Sequence, residues 1–115
     1  MILFRTYLIA IFSAVAIYTL FVAMNHGLNL IPLFFGDIAA MTWAGQFNLD
    51  FLGFLILSGA WLAWRHHFSP LGLALFFAGI FGGIAFLAPY LFFVSLQSKG
   101  DIAEIMMGRE RARTR

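Results

Sequence analysis

LGLALFFAGIFGGIAFLAPYLFFVSL, residues 71–96, runs 26 positions without a charged side chain. A helix needs only about 20 predominantly apolar residues to cross a hydrocarbon core, so the fold class turns on this stretch. Two further apolar runs, Ile2–Met24 and Phe47–Trp64, each carry a single charge, Arg5 and Asp50. With 63% hydrophobic residues and a mean hydropathy of +0.93, the chain reads as an integral membrane protein. The expected architecture is all-α: a transmembrane three-helix bundle over residues 1–98, with an interfacial loop after the first helix. Residues 99–115 follow as an interfacial segment and basic tail containing a short amphipathic helix.

Small side chains recur at three- and four-residue spacing along the third run, at Ala74, Ala78, Gly79, Gly82, Gly83 and Ala85. Gly79 and Gly83 form a GxxxG pair, a close-packing device of membrane helices. Pro89 lacks an N–H and would clash with the carbonyl of Ala85, so a kink is expected there. On the second run Gly53 and Ala60 supply matching small positions for helix packing.

The first run is too long for a signal-peptide core, which spans about 7–15 residues, and is expected to stay as an anchor. Leu28–Gly36 is apolar but too short to cross, and is expected as an interfacial loop or a short helix. Asp37 is placed to cap an element beginning near Ile38. Trp43, Trp61, Trp64, Arg65, His66 and His67 read as interface anchors, the last five forming an aromatic-then-basic border. Pro70 forces a tight turn, which makes the second and third runs antiparallel neighbours. Asp101–Met107 reads as a short interfacial or partner-binding helix that stops at Gly108.

Charge bounds the partners. The chain has seven Lys and Arg and a net charge of +2, and four of those cations are Arg109, Arg111, Arg113 and Arg115. Such a tail suits anionic headgroups, and nucleic acid would need a broader basic footprint. Three spans would put Arg5 and Arg65 on one side and the tail on the other. The basic count then favours a cytoplasmic C-terminus in a multi-pass protein of a bacterial inner membrane or related energy-coupling membrane.

Asp50 is the polar residue that matters most. Gln46, Asp50, Gly53, Leu57, Ala60, Trp61 and Trp64 share one side at helical spacing. A carboxylate deep in a span points to a buried partner or to ligand or proton handling, and Tyr90, beside Pro89, can bond another helix. The bland alternative is a packing carboxylate satisfied by nearby amides or hydroxyls. The histidines fall at helix ends, and adjacent ones diverge on a helix, so no metal site is read from them. No cysteine, catalytic constellation or phosphate-binding loop occurs. The residues do not identify a cofactor, and the pattern points away from an enzyme.

Three motifs carry a resemblance: Gly27-Leu28-Asn29-Leu30-Ile31-Pro32-Leu33-Phe34-Phe35, Phe47-Asn48-Leu49-Asp50, and Ala88-Pro89-Tyr90-Leu91-Phe92. Through them Gly27–Leu96 resembles a bacterial and chloroplast-lineage membrane family known as domain of unknown function 2834. The resemblance implies about three spans and a polar position at Asp50, with no reaction or ligand. The functional expectation is a membrane accessory or assembly subunit docking other membrane subunits, or itself, through small-residue helix faces. The alternative is an oligomeric proton- or small-solute-handling protein centred on Asp50.

Overall fold

A computed structural model describes residues 1–114, and among these the chain forms seven helices. They are α1 (Ile2–His26), α2 (Leu30–Ala39), α3 (Trp43–Arg65), α4 (Pro70–Gly82), α5 (Ile84–Gln97), α6 (Ile102–Met107) and α7 (Arg109–Thr114). The chain is all-α, but the expected three-helix transmembrane bundle is not what it builds. Among the described residues, only α1 and α3 are both long and apolar enough to cross a membrane.

The correction originates at Gly83. Its φ of 55° and ψ of −141° leave the helical region, and its N–H closes α4 on the carbonyl of Gly79. Positive φ is open to glycine and costly for other residues. Adjacent Gly82 also lowers helix propensity by about 1 kcal/mol relative to alanine. The uncharged run is therefore cut into pieces of 13 and 14 residues, each too short to span. The helix expected to bend at Pro89 breaks six positions earlier, and α5 continues through the proline.

After the break the chain reverses. In the first turn of α4 Gly72 lies against Ala63 of α3 and against His66 just beyond it, and at the other end Gly83, which follows α4, lies against Phe51 and Leu55. α5 then returns, because Tyr90 reaches Arg65 and His66 at the far end of α3. α4 and α5 are thus a helical hairpin that starts and finishes at one end of the molecule.

α3 and α4 pair antiparallel around the Pro70 turn. Ser69 caps α4 by accepting the N–H of Gly72, and proline is tolerated at the first helical position. Their backbones approach closely because Gly59 and Gly79 carry no Cβ. One added to Gly59 would lie 2.8 Å from the carbonyl oxygen of Phe76, and one on Gly79 would lie 2.8 Å from Leu62. Leu62 and Ala63 are buried here, and Leu8 of α1, Ala88 and Val94 of α5 and Ile105 of α6 complete the small set of buried apolar residues.

The expected interfacial loop after α1 is the helix α2, with Pro32 in its first turn where a missing N–H breaks no bond. Asp37 lies near the end of α2 rather than capping a new element. Thr42 caps α3 instead, its hydroxyl accepting the N–H of Gly45. α3 starts upstream of its apolar limit at Phe47, though not as far back as Ile38. Asn48 donates to the carbonyl of Phe34 at 3.1 Å, and Gly45 sits so close to the Asp37 backbone that a side chain would collide. α1 packs on α5, where Arg5 donates to the hydroxyl and the carbonyl of Ser95 at 2.9 and 2.8 Å.

Candidate functional site

The densest polar cluster sits where α3 ends. The last carbonyls of any helix lack intrahelical donors, and α6 leaves such acceptors at Ile105 and Met106, while the Glu104 carbonyl takes the N–H of Gly108 and has a lone pair to spare. Side chains of α3 satisfy them. Arg65 Nε donates to Ile105 at 2.7 Å, a terminal nitrogen of Arg65 donates to Glu104 at 3.1 Å, and Trp61 Nε1 donates to Met106 at 2.9 Å. Trp61 and Arg65 are four residues apart, so they project from one side of α3 as a pair.

Tyr90 of α5 completes the cluster. Arg65 Nη1 donates to its hydroxyl at 3.0 Å, and that hydroxyl lies 2.6 Å from His66 Nε2. With Arg65 supplying a proton to the phenolic oxygen, the tyrosine's own proton is free to point at a neutral imidazole. Burial, with the charge of Arg65 and then His67 beside it, lowers the His66 pKa below its ordinary 6.5. The Tyr90 ring meets Trp61 edge-on at 6.0 Å and stacks on Phe86 at 5.9 Å. Chemically this is a clamp that neutralises helix-end dipoles and fixes three helices together.

α7 fastens on the same end. The Arg111 guanidinium lies 4.1 Å from the centre of the Trp64 ring and donates to the Trp64 carbonyl. His67 and Glu110 approach to 3.3 Å, and Arg109 and Glu104 to 3.5 Å. The tail, expected on the side opposite Arg5 and Arg65, is on their side. Met1 packs against Gly100, Arg5 holds Ser95, and Arg65 holds α6. The reversal at Gly83 is the physical reason, since it removes one crossing.

The remaining residues singled out from sequence fall elsewhere. Asp50 and Gln46 are exposed on α3, and Asp50 has no hydrogen-bond or ion-pair partner among the described residues. Tyr90 is not beside them: Asp50 lies eleven residues before Trp61, about 16 Å along the helix axis. A Cβ on Gly53 would meet nothing within 4 Å, and Ala60 is exposed too. Gly82 and Ala78 are half-buried, and Trp43 is exposed beside Phe47. Arg115 lies outside the described residues.

Sequence reasoning missed the Arg5–Ser95 contact, the Arg111–Trp64 stack and the docking of α6. The spacing of Trp61 and Arg65 was the available signal for the last, because two donors on one helix face suit a row of free carbonyls. Among the described residues no three His, Cys, Asp or Glu side chains gather as metal ligands. No protein-family model, curated protein or solved structure matches the chain, so the likeness to domain of unknown function 2834 rests on its three short motifs alone.

Proposed function

We propose that this chain is a small membrane-embedded accessory subunit, crossing the bilayer twice through α1 and α3. Only 6% of the most apolar part of α1 and 22% of that of α3 is buried inside the fold, which separates them from core helices of a water-soluble protein. So much outward apolar surface is stable in lipid and a liability in water. The α4–α5 hairpin enters and leaves at one side. All six described Lys and Arg residues collect there, and the α2 end carries none. The basic excess supports a cytoplasmic side for that end, in a bacterial inner membrane or related energy-coupling membrane.

Asp50 supports the subunit reading most directly. It lies about 10 Å along α3 from Trp43, unpaired on an outward face whose next turn is the open Gly53. An ionised carboxylate facing lipid at that depth is costly, and a partner helix removes the cost. Gly72 and Gly79 of α4 are already packed on α3 and Gly82 lies against Phe86, so the proposed docking face is Gln46, Asp50, Gly53, Leu57 and Ala60.

Purification in mild detergent followed by mass determination tests this. A second polypeptide held by the wild type and released by Asp50→Leu is expected, whereas a lone 12.9 kDa monomer overturns the proposal. A homo-oligomer whose proton flux disappears in Asp50→Asn would instead establish the transport alternative.

A further inference from the structure

We infer that the end carrying both termini is a binding surface for acidic phospholipid headgroups, formed by Lys99, Arg109 and Arg113 beside exposed apolar side chains. Arg5 and Arg65 are spent inside the fold on Ser95, Tyr90 and α6, and Arg111 is stacked on Trp64. The side chains of Lys99 and Arg113 are exposed and make no hydrogen bond or ion pair among the described residues. Arg109 is 63% exposed, with only a long 3.5 Å approach to Glu104. Lys99 and Arg113 are free to meet phosphate, and the exposed Arg109 has donors beyond the one nearest Glu104.

Apolar groups interleave with them. Ile102 and Met106, one turn apart on α6, are 69% and 51% exposed, and Phe68 in the adjoining turn is 61% exposed. Cations beside apolar side chains match the layering of a bilayer surface, where phosphate lies just outside acyl chains. A soluble acidic protein would leave Ile102, Met106 and Phe68 against water or require its own apolar complement. α6 is held by Arg65 and Trp61 and α7 by Arg111 on Trp64, so Arg109 and Arg113 are presented without the ordering cost of a free tail.

This inference rests on the embedded reading above. Alkaline extraction of vesicles tests that reading by itself, since a chain washed out of the vesicles overturns insertion. The headgroup surface is tested on the full chain in non-ionic detergent, titrated with phosphatidylglycerol or phosphatidylcholine of identical acyl chains, with tryptophan fluorescence as readout. Phosphatidylglycerol should bind more tightly, with the preference falling about fivefold for each cation removed in Lys99→Gln, Arg109→Gln and Arg113→Gln. Excess inorganic phosphate should leave the preference in place, because the phosphate alone lacks the acyl chains. Equal affinity for the two lipids, or an undiminished preference in the triple variant, overturns the inference, as does full competition by phosphate. Arg113→Gln alone makes no packing change and guards against a misfolded triple variant.

Discussion

Replacing Arg65 with methionine should release the C-terminal strap while leaving the helical core in place. The stem of the side chain is kept and three donated hydrogen bonds disappear, to Ile105, Glu104 and Tyr90. Hydrogen bonds from a charged donor contribute about 1.5–3 kcal/mol each when their acceptors stay buried. Here the cluster is only part-buried, and water can reach the freed carbonyls, so a total of about 2–4 kcal/mol is expected. That loss applies to local opening of α6–α7 and raises its equilibrium constant roughly 30- to 1000-fold. Limited trypsin digestion in detergent reads it directly, because Lys99, Arg109, Arg111 and Arg113 are cleavage sites on or beside the strap. Cleavage there should accelerate by that factor while thermal unfolding of the helical core changes little. Arg65→Lys should restore little of the protection, since an ammonium cannot fork between two carbonyls and a hydroxyl. Cleavage of Arg65→Met within about twofold of wild type would refute the clamp. Full rescue by lysine would show that charge, and not donor geometry, holds the strap.

The α3–α4 pairing predicts that Gly59→Ala lowers stability by about 1–3 kcal/mol, because the new methyl meets a backbone carbonyl that cannot move aside. Gly53→Ala, into open space, should leave the Tm of the isolated chain unchanged; equal losses in the two variants would reject the packing. His66 supplies a pH dependence with a definite sign. Its folded pKa is lowered by burial beside Arg65 and His67, so the open state takes up a proton more readily. Stability is therefore fully present above about pH 6.5 and is lost as pH falls through the folded value. Thermal unfolding followed from pH 7.5 downward should show that decline in the wild type and a shallower one in His66→Gln. Parallel curves would exclude His66 as its source.

Composition made the helical, apolar character legible, and the ends of α3 and α4 followed from local chemistry. The Trp61–His67 border, Ser69 and Pro70 act within a few residues, so their consequences appear in a short window of sequence. The number of long helices was not legible in the same way. Hydropathy averages over the Gly82–Gly83 pair, and a single residue at positive φ changes a span into a hairpin without altering the average. Both members of the GxxxG pair lie against α3, and the pattern gave no sign that Gly83 also makes the turn. α2 was hidden because Pro32 and Gly36 resemble loop punctuation, although a proline in a first turn is compatible with helix. The clamp depended on carbonyl acceptors, which every residue possesses and no side-chain pattern advertises. Asp50 was conspicuous from sequence, but its exposure on α3 required the packing of α4 and α2 to be known.

The contact between Arg5 and Ser95 joins positions 90 residues apart and carries a consequence for biogenesis. α1 is translated well before its main partner within the fold, α5. At ribosomal rates of about 5–20 residues per second, α1 waits roughly 4–15 s for that surface. During the interval it has no stable docking site on the nascent chain, and its apolar circumference must be sheltered by lipid or by an insertion factor. Ser95 then acts as a latch, closing only after the hairpin has formed. A chain truncated before Ser95 would strand α1 undocked, exposing it to quality control.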